Sequence, residues 1–166
     1  MKQAWILIAC LLSTAAAGQD LNRLELGIHD LVEVKTLTGI TLVVDPMKIV
    51  MAYALRRPGR GTAITNIVGL AGGAQEIDEP ANDLLERLSL KPYFVALTLP
   101  DGVPVWIKAS AISFLRATET WDHTRSEAKS AVSIHGRPLF VKENVSTIRD
   151  AINALRRQNR PFNGRD

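Results

Sequence analysis

Leu31-Val32-Glu33-Val34-Lys35-Thr36-Leu37-Thr38-Gly39 and Phe94-Val95-Ala96-Leu97-Thr98-Leu99-Pro100-Asp101-Gly102 are two versions of one phrase, each an apolar-rich run ending on a turn glycine. The agreement continues outward from this phrase. Ile49 falls over Ile112, Gly72 over Gly136, and Glu79 over Glu143, each glutamate just ahead of an apolar-periodic helix start. The offset is 63 residues at the early pairs and 64 at the late ones, so one small insertion reconciles the two stretches. An echo at this period reads as one supersecondary unit written twice.

The punctuation within each stretch predicts its elements. In the first, residues 32–37 and 40–44 are rich in Val, Leu, Ile and Thr, as a half-buried strand pair demands, with a turn at Thr38-Gly39. Asp45-Pro46 interrupts, since proline cannot donate into a central ladder. Strands follow at 49–55, 62–70 and 74–77, with a turn over 56–61, and Glu79-Pro80 starts a helix that runs to about Leu88. In the second, strands are expected at 94–99, 105–108, 112–117, 131–135 and 139–142, with a polar hairpin loop over 119–127. A closing helix spans about 145–157 with Ile148, Ile152 and Leu155 on one face and Ser146 as its cap. Lys91-Pro92 is the joint. The fold class is therefore α+β and mainly β: two tandem small sheet or barrel-like units, each closed by a helix. A unit of about 60 residues is marginal alone, so a pseudo-twofold pair sharing some core is expected.

The N-terminus has the form of a secretory signal. Lys2 is followed by an apolar run over residues 5–12 and by the small residues Ala15-Ala16-Ala17-Gly18, which places cleavage near Gly18. The apolar run is too short to span a bilayer, and no transmembrane segment follows. Leu7-Ile8-Ala9-Cys10 has the look of a lipoprotein box but would cut the apolar core in its middle. Cys10 is the only cysteine, so a chain cleaved at Gly18 carries no disulfide. That favours a bacterial periplasm or surface and a fold held by its apolar core. The layout is a signal peptide over 1–18, an N-terminal segment over 19–30, repeats over 31–90 and 91–157, and a flexible basic tail over 158–166.

With Lys2 removed, 19 basic side chains face 17 acidic ones, a net of +2. So small an excess steers the protein only weakly towards nucleic acid or anionic membrane. The basic residues cluster at Arg56-Arg57-Pro58-Gly59-Arg60 and at Arg156-Arg157-Gln158-Asn159-Arg160.

In the second stretch, Leu97-Thr98-Leu99-Pro100-Asp101-Gly102, then Val105-Trp106-Ile107-Lys108-Ala109, Ile112 and Ala117-Thr118, resembles the small FlbD-type flagellar and swarming-motility family. The closing Gly136-Arg137-Pro138-Leu139-Phe140-Val141-Lys142-Glu143-Asn144-Val145 resembles that family's last strand and helix start. The likeness covers residues 94–155 and, more loosely, the first stretch through Ile77-Asp78-Glu79-Pro80. It implies a fold and a motility-associated alternative, with no catalytic residues.

Chemistry-bearing patterns are scarce. His29, His123 and His135 are scattered, and no His/Cys/Asp/Glu set has metal-ligand spacing. No Gly-x-Ser-x-Gly elbow occurs. Gly69-Leu70-Ala71-Gly72-Gly73 precedes a strand rather than a helix N-terminus, so it lacks the geometry of a phosphate cradle. Glu79 and Glu143 sit at equivalent helix starts, where the helix dipole favours a carboxylate. Trp106 lies in an apolar strand and is expected in the core. Trp121, in a polar loop beside His123 and Arg125, suits a partner surface. The expected protein is an exported, non-enzymatic envelope accessory protein without cofactor or metal, which binds another protein through Arg56, Arg57, Arg60, Trp121, His123 and Arg125. Its partners would be an envelope or secreted protein, with a second copy of the chain as homo-oligomer; nucleic acid is disfavoured. The alternative is an anionic polymer, nucleic acid or cell wall, held by the basic loop and tail.

Overall fold

Strand β1 (Val32–Lys35) folds back into β2 (Thr41–Val44) through Gly39, which has a φ of 82°. Glycine alone enters that region without steric cost. The Gly39 amide donates to the Thr36 carbonyl at 2.9 Å, closing the turn. Strands β6 (Phe94–Thr98) and β7 (Pro104–Lys108) are joined the same way, through Gly102 at φ 83° and its 2.8 Å bond to the Leu99 carbonyl. These features come from a computed structural model, which describes residues 30–55, 64–69, 73–119 and 127–159. The chain divides at Leu31, and every strand and helix belongs to the unit from Val32 onward among the described residues.

After the first hairpin come β3 (Ile49–Leu55), β4 (Ile64–Gly69), β5 (Ala74–Ile77) and helix α1 (Ala81–Arg87). After the second come β8 (Ile112–Ala117), β9 (Ser130–Ile134), β10 (Arg137–Val141) and helix α2 (Val145–Gln158). A single 3-10 turn precedes β3 at Pro46–Lys48 and β8 at Ala109–Ala111. Strands pair antiparallel into three sheets: β1-β2, β5-β4-β3-β7-β6 and β10-β9-β8. A bulge interrupts β3 between Ile49 and Met51, and another interrupts β8 between Ile112 and Phe114.

The two hairpins are tied to the strands that end each half. The Asp78 amide donates to the Lys35 carbonyl at 3.1 Å, and Thr36 bridges Ile77. In the second half the Lys142 amide donates to the Thr98 carbonyl at 2.9 Å. The Leu37 amide reaches the Glu76 carbonyl at 3.0 Å. Pro100, at the matching place, has no amide to offer.

The expected barrel-like units are open sheets, and no closed barrel forms among the described residues. Closure within the first half would require β2 to pair with β3. Instead β3 gives its free edge to β7, pairing Met51 with Ile107, Ala52 with Trp106 and Tyr53 with Val105. Two buried clusters meet along this seam. The first gathers Val34, Ile49, Ala52, Ile77, Leu84 and Leu85. The second gathers Leu97, Val105, Ile107, Val132, Val141 and Ile148. Burial of each of the valine, leucine and isoleucine side chains contributes roughly 1.5–3 kcal/mol, which is what holds a fold this rich in short strands.

The helices differ from expectation at their ends. Pro80 stands outside α1 as its N-cap residue, in extended conformation, because the helix begins only at Ala81. Asn144, rather than Ser146, caps α2: its Oδ1 accepts from the Thr147 amide at 2.9 Å. Ser146 lies one residue inside the helix, and its hydroxyl donates back to Asn144 Oδ1 at 2.6 Å. His135 belongs to a turn rather than a strand, with φ 49° beside Gly136 at 78°. Two consecutive positive φ values fit the tight hairpin between β9 and β10.

Candidate functional site

Strand alternation sends Leu42 and Val44 of β2 inward against the first cluster and turns Val43 outward. Val43 is 60% exposed, and Ile40, just ahead of β2, is 61% exposed. On β8, Ile112 and Leu115 pack on the second cluster while Phe114 points away, 54% exposed. These are three of the five exposed large hydrophobic side chains among the described residues. Both strands are also sheet edges. β2 pairs only with β1, and β8 only with β9, among the described residues. An edge presents a row of unpaired amides and carbonyls, and proteins usually blunt it with lysine, proline or a bulge. Thr41-Leu42-Val43-Val44 carries neither charge nor proline. β8 has the bulge and Arg116, whose guanidinium lies 5.9 Å from the centre of the Phe140 ring.

A second feature is a cleft of about 350 Å³ between the Pro46–Lys48 turn, the Lys91–Tyr93 turn and the end of α2, lined by Tyr93, Lys108, Ser110 and Arg156. Burial pushes the Lys108 ammonium below its ordinary pKa; the Asp45 carboxylate opposes that shift and Lys48 adds to it. Lys108 Nζ donates to the Met47 carbonyl. That bond fastens β7 of the second half to the 3-10 turn of the first, which accounts for the lysine structurally.

Glu79 and Glu143 do different work despite their matching positions. Glu79 forms a two-point ion pair with Arg87, Oε1 to Nε at 3.0 Å and Oε2 to Nη2 at 2.6 Å, across the short α1 helix. The carboxylate partner raises the Arg87 pKa further. Glu143 accepts the Thr98 amide at 3.0 Å, so it holds β6 against the end of β10. Trp106 is partly buried against the first cluster, although β7 belongs to the second half. Among the described residues no group of three or more His, Cys, Asp or Glu side chains is arranged to hold a metal ion. Nor is any helix among them long and apolar enough to cross a membrane.

Arg56, Arg57 and Arg60 of the first loop, and Trp121, His123 and Arg125 of the second, lie outside the described residues. So do the signal-like residues 1–18, the segment 19–29 and the tail from Arg160 onward. Val43 and Phe114 are uncharged and lie in strands, so no charged-loop pattern marks them. Val43 nonetheless has a signal in the sequence: Leu42-Val43-Val44 is apolar on both faces of one short strand, a pattern that asks for cover on both sides. No protein-family model, characterised protein or solved structure matches the chain.

Proposed function

We propose that this is a non-enzymatic accessory protein of the bacterial envelope that binds a protein partner on the open edges of β2 and β8, and that its halves are copies of one unit. The observation that carries the binding reading is the coincidence of open strand edges with exposed apolar side chains at Val43 and Phe114. An extended segment added to such an edge gains main-chain hydrogen bonds, and the outward side chains gain apolar cover. The copy reading is supported by the shared element order, the paired turn glycines and the matching bulges. Export is supported by the pattern of Lys2, residues 5–12 and Gly18 alone.

The test is site-specific photo-crosslinking in the native envelope. A photoreactive side chain at position 43 or 114 is expected to trap a protein adduct, while one at the exposed Asp150 on α2 traps none. Absence of any adduct from both edges would sink the reading.

A further inference from the structure

We infer that the partner of these edges is a second copy of this chain: β2 of one molecule pairs antiparallel with β8 of the next. This rests on the proposed edge binding and duplication and names the occupant they leave open.

One junction of this kind already exists inside the molecule. By position in the halves, β7 is the counterpart of β2, and β3 is the counterpart of β8. One member of each pair is used internally, since β3 takes β7. The other two, β2 and β8, keep the same edges open among the described residues. The internal seam thus shows what each open edge is shaped to meet.

The side chains agree with this. At the seam each strand sends residues into the opposite half's core: Trp106 of β7 packs on the first cluster, and Met51 and Tyr53 of β3 pack on the second. With the 63-residue offset, Val43 takes the place of Trp106 and Phe114 the place of Met51. They are the exposed apolar side chains of the two open edges. Ile40, just ahead of β2, is 61% exposed where its counterpart Val103 is 6% exposed. Transferring the internal register predicts Phe114 opposite Val44, Leu115 opposite Val43 and Arg116 opposite Leu42. Phe114 then covers the first cluster of the neighbour, and Val43 covers its second. The bulge after Ile49 recurs after Ile112, so both seams carry the same local twist.

Such a junction joins unlike patches, so it is heterologous and runs head to tail. That gives a test specific to this geometry. The purified full-length mature chain is expected to form concentration-dependent dimers or longer chains in sedimentation velocity. Val43→Lys and Phe114→Glu each block one edge, and each variant alone should sediment as a monomer with an unchanged circular dichroism spectrum. Mixed in equal amounts, they should form a one-to-one heterodimer and nothing larger, because one still offers β8 and the other still offers β2. A photo-crosslinker at position 43 should map to the peptide spanning Ile112–Ala117 of another copy.

The proposal is overturned if the wild-type chain stays monomeric at its highest soluble concentration. It is equally overturned if the variants assemble as wild type does, or if the crosslink closes within one chain. A monomeric chain that crosslinks to a different protein would remove self-pairing while leaving edge binding in place.

Discussion

Lys108 shows how one side chain can serve the seam at a cost to itself. Its ammonium is partly buried beside the Pro46–Lys48 turn, where Asp45 offsets the charge and Lys48 opposes it. Burial lowers its pKa in the folded state, so between that value and the ordinary 10.5 the unfolded chain binds more protons. Stability therefore rises with pH across this window, and the gain is lost as pH falls through the folded pKa. Lys108→Met removes the titration but also the bond to the Met47 carbonyl. The melting temperature of the wild type relative to this variant is expected to climb as pH approaches 10.5, when both are followed by circular dichroism. A constant difference across that range would show that burial places no load on the ammonium.

Among the elements, α1 is held by its neighbours more than by itself. Seven residues are too few for a helix to persist alone in water. Leu84 and Leu85 are fully buried, and the chain leaves through Ser89 at φ 55° before Leu90 returns to the core. The Leu90 amide donates to the Leu85 carbonyl at 2.7 Å, a helix-ending bond that normally follows glycine at the left-handed position. Ser89→Gly relieves that strain and is expected to stabilise the protein by about 0.5–1 kcal/mol, read from urea unfolding at constant m. A loss of stability would mean that the serine hydroxyl does unseen work. The ends of this helix are also the hardest part to read from sequence. Leu84, Leu85 and Leu88 announce its inner face by spacing alone; β3 and β8 are legible to the residue because apolar-rich runs meet clear punctuation, and β5 because Gly72-Gly73 and Asp78-Glu79-Pro80 bracket it. Its last turn carries no glycine to mark the exit, and Glu79-Pro80 resembles a first turn when it is only the approach. The same limit hides the open edges. Alternation reveals which way Val43 points, yet whether a neighbouring strand covers it is decided by which strand takes β3, a long-range choice that no local pattern encodes.

At the scale of the molecule, β3 serves the cores of both halves at once. Ile49 and Ala52 face the first cluster, and Met51 and Tyr53 face the second, so neither core can empty without stripping one face of the same strand. Trp106 returns the tie from β7. Two beads on a string would unfold separately, and a perturbation in one would leave the other's transition where it was. The shared strand makes the opposite prediction. Leu84→Ala in the first cluster and Ile148→Ala in the second each remove a fully buried side chain, and each should cost about 2–5 kcal/mol. Both should move a single calorimetric transition whose van't Hoff and calorimetric enthalpies agree. They lie on different helices and in different clusters, so the double variant should lose roughly the sum of the two. Two resolved transitions, with each substitution shifting only one of them, would show that the seam is a contact between independent domains. In that event β3 and β7 would part before either core melts, and the internal seam would be no stronger than the junction inferred between molecules.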